Sequence, residues 1–140
     1  MLGINGKNSE LHAAMGLSVL PHMPAILEKR KELSLHYDTV LKNLRMKKQV
    51  LQKEAKYNYS YYPVVFEDEA ALLRVQKALN EEQIFPRRYF YPSLNTINYI
   101  ERTSMPISES VASRILCLPL YVELQKNDLQ QIVSILNTNV

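Results

Sequence analysis

The feature that most constrains this chain is a long apolar stripe at helical spacing. Ile26, Arg30, Leu33, Tyr37, Val40 and Leu44 recur every three or four residues. Pro24 suits the first turn of such a helix, where its missing N–H is no loss. About twenty residues at 1.5 Å each make a rod about 30 Å long. A small sheet cannot cover that length, so part of the helix is expected to touch a further domain or a second subunit.

Weaker signals surround it. Asn8 or Ser9 can cap an earlier helix, with Leu11, Ala14, Met15 and Ser18 on one face and Pro21 at its end. Its small residues, Ala13 and Gly16 among them, predict close packing on another backbone. Tyr57 to Phe66 reads as a strand. Asp68 can cap a third helix through Leu72, Val75 and Leu79, and the acidic run Glu67-Asp68-Glu69 suits that helix start. Ile84 to Tyr91 reads as a second strand, interrupted by Pro86 and stopped by Pro92. Ser108 is the expected cap of a short helix holding Val111, Ala112 and Ile115. Leu116 to Leu120 reads as a third strand, which Pro119 assigns to an edge or a strand end. Asn127 and Gln130 resemble a capping box before a last helix with Leu129, Ile132, Val133 and Leu136 inside. Three strands separated by helices predict an α/β (α+β) fold, a three-stranded sheet covered by helices, with residues 1–140 as one domain.

Composition excludes several function classes. The net charge of +3 is too small to argue for nucleic acid. The basic stretch Lys42, Arg45, Lys47, Lys48, Lys53 and Lys56 has few interleaved aromatics and reads as a solvated connector. No apolar run approaches the ~18 residues of a membrane span. The first residues lack the basic and apolar regions of a secretory leader, so the cytoplasm is the expected location. Cys117 sits in an apolar run and reads as a small core residue. No cysteine or histidine cluster suggests zinc, and His12, His22 and His36 have no evident catalytic partners.

Three segments in register resemble the DegT/DnrJ/StrS family of nucleotide-sugar aminotransferases. The first is Gly3-Ile4-Asn5-Gly6-Lys7 with Glu10, Ala13, Ala14 and Gly16 behind it. The second is Arg30 with Tyr37 on the long helix. The third is Arg87-Arg88-Tyr89-Phe90-Tyr91-Pro92, then Ser108-Glu109 and Ile115 to Leu120. The resemblance covers essentially the whole chain. It implies the small carboxy-terminal domain of a fold-type I transferase that uses pyridoxal 5'-phosphate and works as a homodimer. It also implies a reaction, the transfer of an amino group from glutamate to a keto group of a nucleotide-linked deoxysugar. The lysine that holds the cofactor as an imine belongs, in the family, to a large domain ahead of this segment. These residues alone are therefore expected to be inactive. The alternative is a non-catalytic truncated or standalone small-molecule-binding or interaction module.

Residue by residue, the resemblance assigns Asn5 and Lys7 to the cofactor phosphate of the other subunit. A carboxamide, an ammonium and the start of a helix together favour an anion. Read without it, Asn5 and Asn8 are turn and cap residues and Lys7 is solvated. For the third segment, a strand would send Arg88 and Phe90 to one face and Arg87, Tyr89 and Tyr91 to the other. Arginine suits a diphosphate and tyrosine a base or a sugar hydroxyl, so Arg88, Tyr89 and Tyr91 are candidate substrate contacts. The competing reading is an aromatic core strand with exposed arginines. Asn95 stands about where the family often has a histidine, and joins the substrate-binding candidates.

Overall fold

The long stripe is a helix as far as Val40, α2 (Met23–Val40), in the computed structural model, which describes residues 6–140; Leu44 lies beyond its end. Its burial is lopsided. Leu33, Ser34 and Tyr37 are buried and Leu41 follows at the C-cap, whereas no residue of the first half is buried. Before it comes α1 (Glu10–Val19), where the Ser9 hydroxyl accepts the His12 N–H at 3.3 Å. A 3₁₀ turn at Leu20–His22, with Pro21 at its start, joins the two helices. No residue of α1 is buried. Leu11, Met15, Leu17 and Val19 are exposed, and a Cβ added at Gly16 would meet nothing within 4 Å. The close packing expected of the small residues is not supplied by the described residues.

Beyond α2 the chain forms β1 (Lys47–Lys48), β2 (Tyr62–Val65), α3 (Glu69–Glu81), α4 (Pro106–Arg114), β3 (Ile115–Leu118) and α5 (Lys126–Asn139). The sheet is antiparallel in the order β1-β2-β3, with Lys48 opposite Val64 and Pro63 opposite Cys117. A proline in the middle strand has a local explanation. The N–H and C=O of Cys117 both bond to Arg87 on its other side, at 2.8 and 3.1 Å. Pro63 and Cys117 are thus a pair without mutual hydrogen bonds, and β1 ends before it reaches Pro63. The missing N–H faces a place where the ladder asks for none.

One core joins these elements. Leu33 and Tyr37 of the long helix, with Leu41 at its C-cap, meet Tyr62 and Val64 of β2, Phe66 just after it, the α3 stripe Leu72, Val75 and Leu79, and Leu129, Ile132 and Leu136 of α5. Tyr37 is fully buried. Its ring lies 4.7 Å from that of Tyr62, and its hydroxyl donates to the Pro119 carbonyl at 3.1 Å. Burial raises its pKa well above the usual phenol value. The buried hydroxyl therefore stays a donor, which is what the carbonyl requires.

Four expectations are corrected. Ile84 to Tyr91 is not a strand, because Arg87 alone pairs, with Cys117 at the outer edge of β3. The third strand is instead Lys47–Lys48, inside the stretch read as a solvated connector. It is too short and polar for its periodicity to show. The short helix α4 begins at Pro106 and not behind Ser108, since a proline at the first helical position has no N–H to satisfy. The capping box of α5 is Gln125 with Asp128, two residues before the expected one, and it places a carboxylate against the positive end of the helix. The Asp68 cap stands as expected, with its carboxylate accepting the Ala71 N–H at 2.7 Å.

Candidate functional site

Arg87 fastens its segment to the sheet edge, and the following residues leave the sheet as a loop. The strand alternation expected there fails at once. The guanidinium of Arg88 lies over the Tyr91 ring, 3.7 Å from its centre. The same guanidinium donates through one terminal nitrogen to Glu69 Oε1 at 2.7 Å and to the Ser113 carbonyl at 3.0 Å. Arg88 thereby ties three elements together: the start of α3, the end of α4 and the loop. Its side chain is 16% exposed, and its buried Nε has no hydrogen-bond partner among the described residues. A planar cation suits this geometry, because it can lie flat on the ring while its N–H groups reach both acceptors.

Tyr89 packs edge-on against Tyr61 at 5.3 Å and beside Phe90 at 5.0 Å. Phe90, Tyr91, Leu94 and Tyr99 are exposed. Asn95 holds the far side of the loop. Its amide donates to the Thr103 carbonyl at 2.7 Å and to Glu109 Oε1 at 2.6 Å, and its oxygen meets the Ser93 hydroxyl. Glu109 Oε1 also accepts the Met105 N–H at 3.0 Å. That backbone bond first, and Asn95 second, hold the Glu109 carboxyl below the usual carboxylate range.

The candidates thus fall into two groups. Arg88, Tyr89, Tyr91 and Asn95 share one loop, pinned from behind by Glu69, Ser113 and Glu109. Lys7 is exposed, two residues ahead of the α1 cap, with no hydrogen bond or ion pair to that loop among the described residues. Asn5 lies outside the described residues. The pinning residues escaped sequence reasoning because Glu69 sits 19 positions from Arg88 and its place at a helix start already explained it. The Cys117 thiol is buried and pushed up by desolvation, which fits a core role. No helix among the described residues is long and apolar enough to cross a membrane.

Comparison with known proteins adds the following. The family model described as the DegT/DnrJ/EryC1/StrS aminotransferase family matches residues 1–137. Two curated relatives, from Shigella dysenteriae and Escherichia coli, are 36% and 32% identical. Both are named dTDP-4-amino-4,6-dideoxy-D-glucose transaminase, and each match covers 96% of this chain and 38% of the relative. Among solved structures, a DegT DnrJ EryC1 StrS aminotransferase from Brucella abortus superposes with a TM-score of 0.83 at 25% identity. The match covers 98% of this chain and 37% of that one. An aminotransferase from Streptoalloteichus hindustanus gives 0.86 at 21% identity, again over 98% of this chain and 38% of the other. The chain spans well under half the length of the proteins it matches.

Proposed function

The chain belongs to the DegT/DnrJ/EryC1/StrS aminotransferase family, and we propose that it serves as the small carboxy-terminal domain of a transaminase acting on a dTDP-linked keto-deoxysugar. The observation that carries this is the agreement of two relatives, above 30% identity over nearly all of this chain, on one dTDP-amino-sugar. In the reaction, the amino group of glutamate replaces the keto oxygen of the sugar, leaving 2-oxoglutarate. Pyridoxal 5'-phosphate, bound in the complete enzyme, supplies the electron sink. The substrate, a diphosphate too charged to cross a bilayer unaided, puts this work in the cytoplasm.

The residues present have defined work in this reading. Lys7, exposed and without an ion-pair partner among the described residues, and Asn5 beside it, would meet the cofactor phosphate of the opposite subunit in a homodimer. That is an anion set before a helix start. The bare apolar side chains of α1 support such an interface. Tyr89, Tyr91 and Asn95 would line the nucleotide-sugar end. Arg88, its own charge paired with Glu69, supports Tyr91 from behind. No group among the described residues need move a proton; their part is binding, orientation and exclusion of water.

The test uses the complete protein carrying these residues, supplied with the cofactor, glutamate and dTDP-4-keto-6-deoxy-D-glucose. Equal amounts of amino sugar and 2-oxoglutarate are expected, and Asn5→Ala should weaken cofactor retention. No turnover with either a 4-keto or a 3-keto dTDP-deoxysugar would refute the proposal. Residues 1–140 alone, mixed with the cofactor and borohydride, should form no stoichiometric adduct.

A further inference from the structure

One pocket has no lining residue from the Arg88 loop, and the proposed reaction makes no use of it. It has a volume of about 250 Å³ between α2, the sheet and the 49–61 loop. Tyr57, Tyr59 and Tyr62 supply aromatic walls, and Asp38, Lys48 and Gln49 supply the polar ones. The loop is built and not slack. Ser60 N–H bonds to the Asn58 side chain, the Tyr57 hydroxyl donates to the Tyr61 carbonyl at 2.8 Å, and the Tyr57 and Tyr59 rings meet edge-on at 4.9 Å. Tyr59 has φ of 50°, a left-handed conformation that a bulky residue adopts only under constraint and that recurs at ligand-binding sites.

The polar groups define the chemistry. Asp38 Oδ1 accepts both from the Tyr62 hydroxyl at 2.6 Å and from Lys48, whose ammonium also sits 5.0 Å from the centre of the Tyr62 ring. The paired charges cancel, which disfavours a phosphate or a free cation as occupant. Yet Asp38 Oδ2 has no partner among the described residues, Lys48 keeps donors to spare, and Gln49 offers both donor and acceptor. Aromatic faces beside mixed donors and acceptors, without net charge, suit a ring with apolar C–H faces and a belt of hydroxyls. The volume falls just below that of sites for drug-sized ligands, which fits one sugar ring and not a nucleotide.

From this we propose that the pocket is a binding site for a single neutral hexopyranose, separate from the nucleotide-sugar site. Tyr59 provides the stacking face; Asp38, Lys48 and Gln49 take the hydroxyls.

Saturation-transfer NMR on the complete protein tests it, with D-glucose and N-acetyl-D-glucosamine as probes. Transfer to ring protons of at least one probe is expected, and saturating thymidine diphosphate should leave it unchanged. Tyr59→Gly accommodates the positive φ, so the backbone stays folded while the stacking face is lost; transfer should fall roughly fivefold. Gln49→Ala, at an exposed position, should lower it as well. No transfer from either sugar, displacement by the nucleotide, or undiminished transfer in Tyr59→Gly would each overturn the proposal. Circular dichroism identical to that of the parent protein confirms that a loss in the variant is not unfolding.

Discussion

Replacing Arg88 by methionine keeps the length of the side chain and removes the guanidinium, so it isolates what the clamp contributes. The bond to the Ser113 carbonyl is charge-assisted, worth about 1.5 kcal/mol net. The bond to Glu69 is of the same kind, but that side chain is 40% exposed, and screening brings its share to about 1 kcal/mol. The stack on the half-exposed Tyr91 ring adds about 0.5 kcal/mol. Against these stands the cost of burying a guanidinium whose Nε is unpartnered, about 1–2 kcal/mol, which methionine relieves. The net loss is about 1–2 kcal/mol. With a urea slope of about 2 kcal/mol per molar, the unfolding midpoint should fall by roughly 0.5–1 M, read by tyrosine fluorescence or circular dichroism. The KM for the nucleotide sugar should rise in the same variant, because Tyr91 loses its backing, and Glu69→Gln should reproduce part of both effects. A midpoint that is unmoved or raised, beside a higher KM, would refute the reasoning. Arg88 would then spend its bonding on substrate and not on Glu69.

Two further outcomes are expected. Tyr37→Phe keeps the ring but leaves the part-buried Pro119 carbonyl without its donor, and should cost about 1 kcal/mol in thermal or urea unfolding; an unchanged midpoint would mean that water reaches the carbonyl. Glu109 has a folded pKa depressed below its ordinary value, so its contribution is present above the usual carboxylate range and lost as pH falls through the lowered one. The Met105 amide resonance should titrate there and free the loop at acid pH, and Glu109→Gln should abolish that titration.

Much of the fold was legible from local rules. Asp68 before an apolar period, Ser9 before α1 and the stripe on α2 are signals between residues three or four apart, which a helix brings together by its own geometry. The family resemblance was legible for the same reason, since its segments are contiguous runs. The two lysines of β1 were not, because a two-residue strand has no period and its pairing with Val64 and Val65 is decided across the sheet. Tyrosine-rich and arginine-rich runs misled where local propensity met a longer-range constraint. Residues 84–91 have the composition of a strand, yet only Arg87 finds a partner. Asn95 and Glu109 lie 14 positions apart, and nothing in the intervening residues announces that they meet.

The sequence by itself determined most of the helices, a strand within Tyr57 to Phe66 and the family, because each depends on neighbours along the chain or on a contiguous motif. Tertiary structure alone decided that Arg88 points back into the fold to hold Tyr91 and that no residue of α1 is buried among the described residues. Those outcomes depend on which surfaces remain after distant segments have packed, and that balance of burial, charge and hydrogen bonding has no signature at short range.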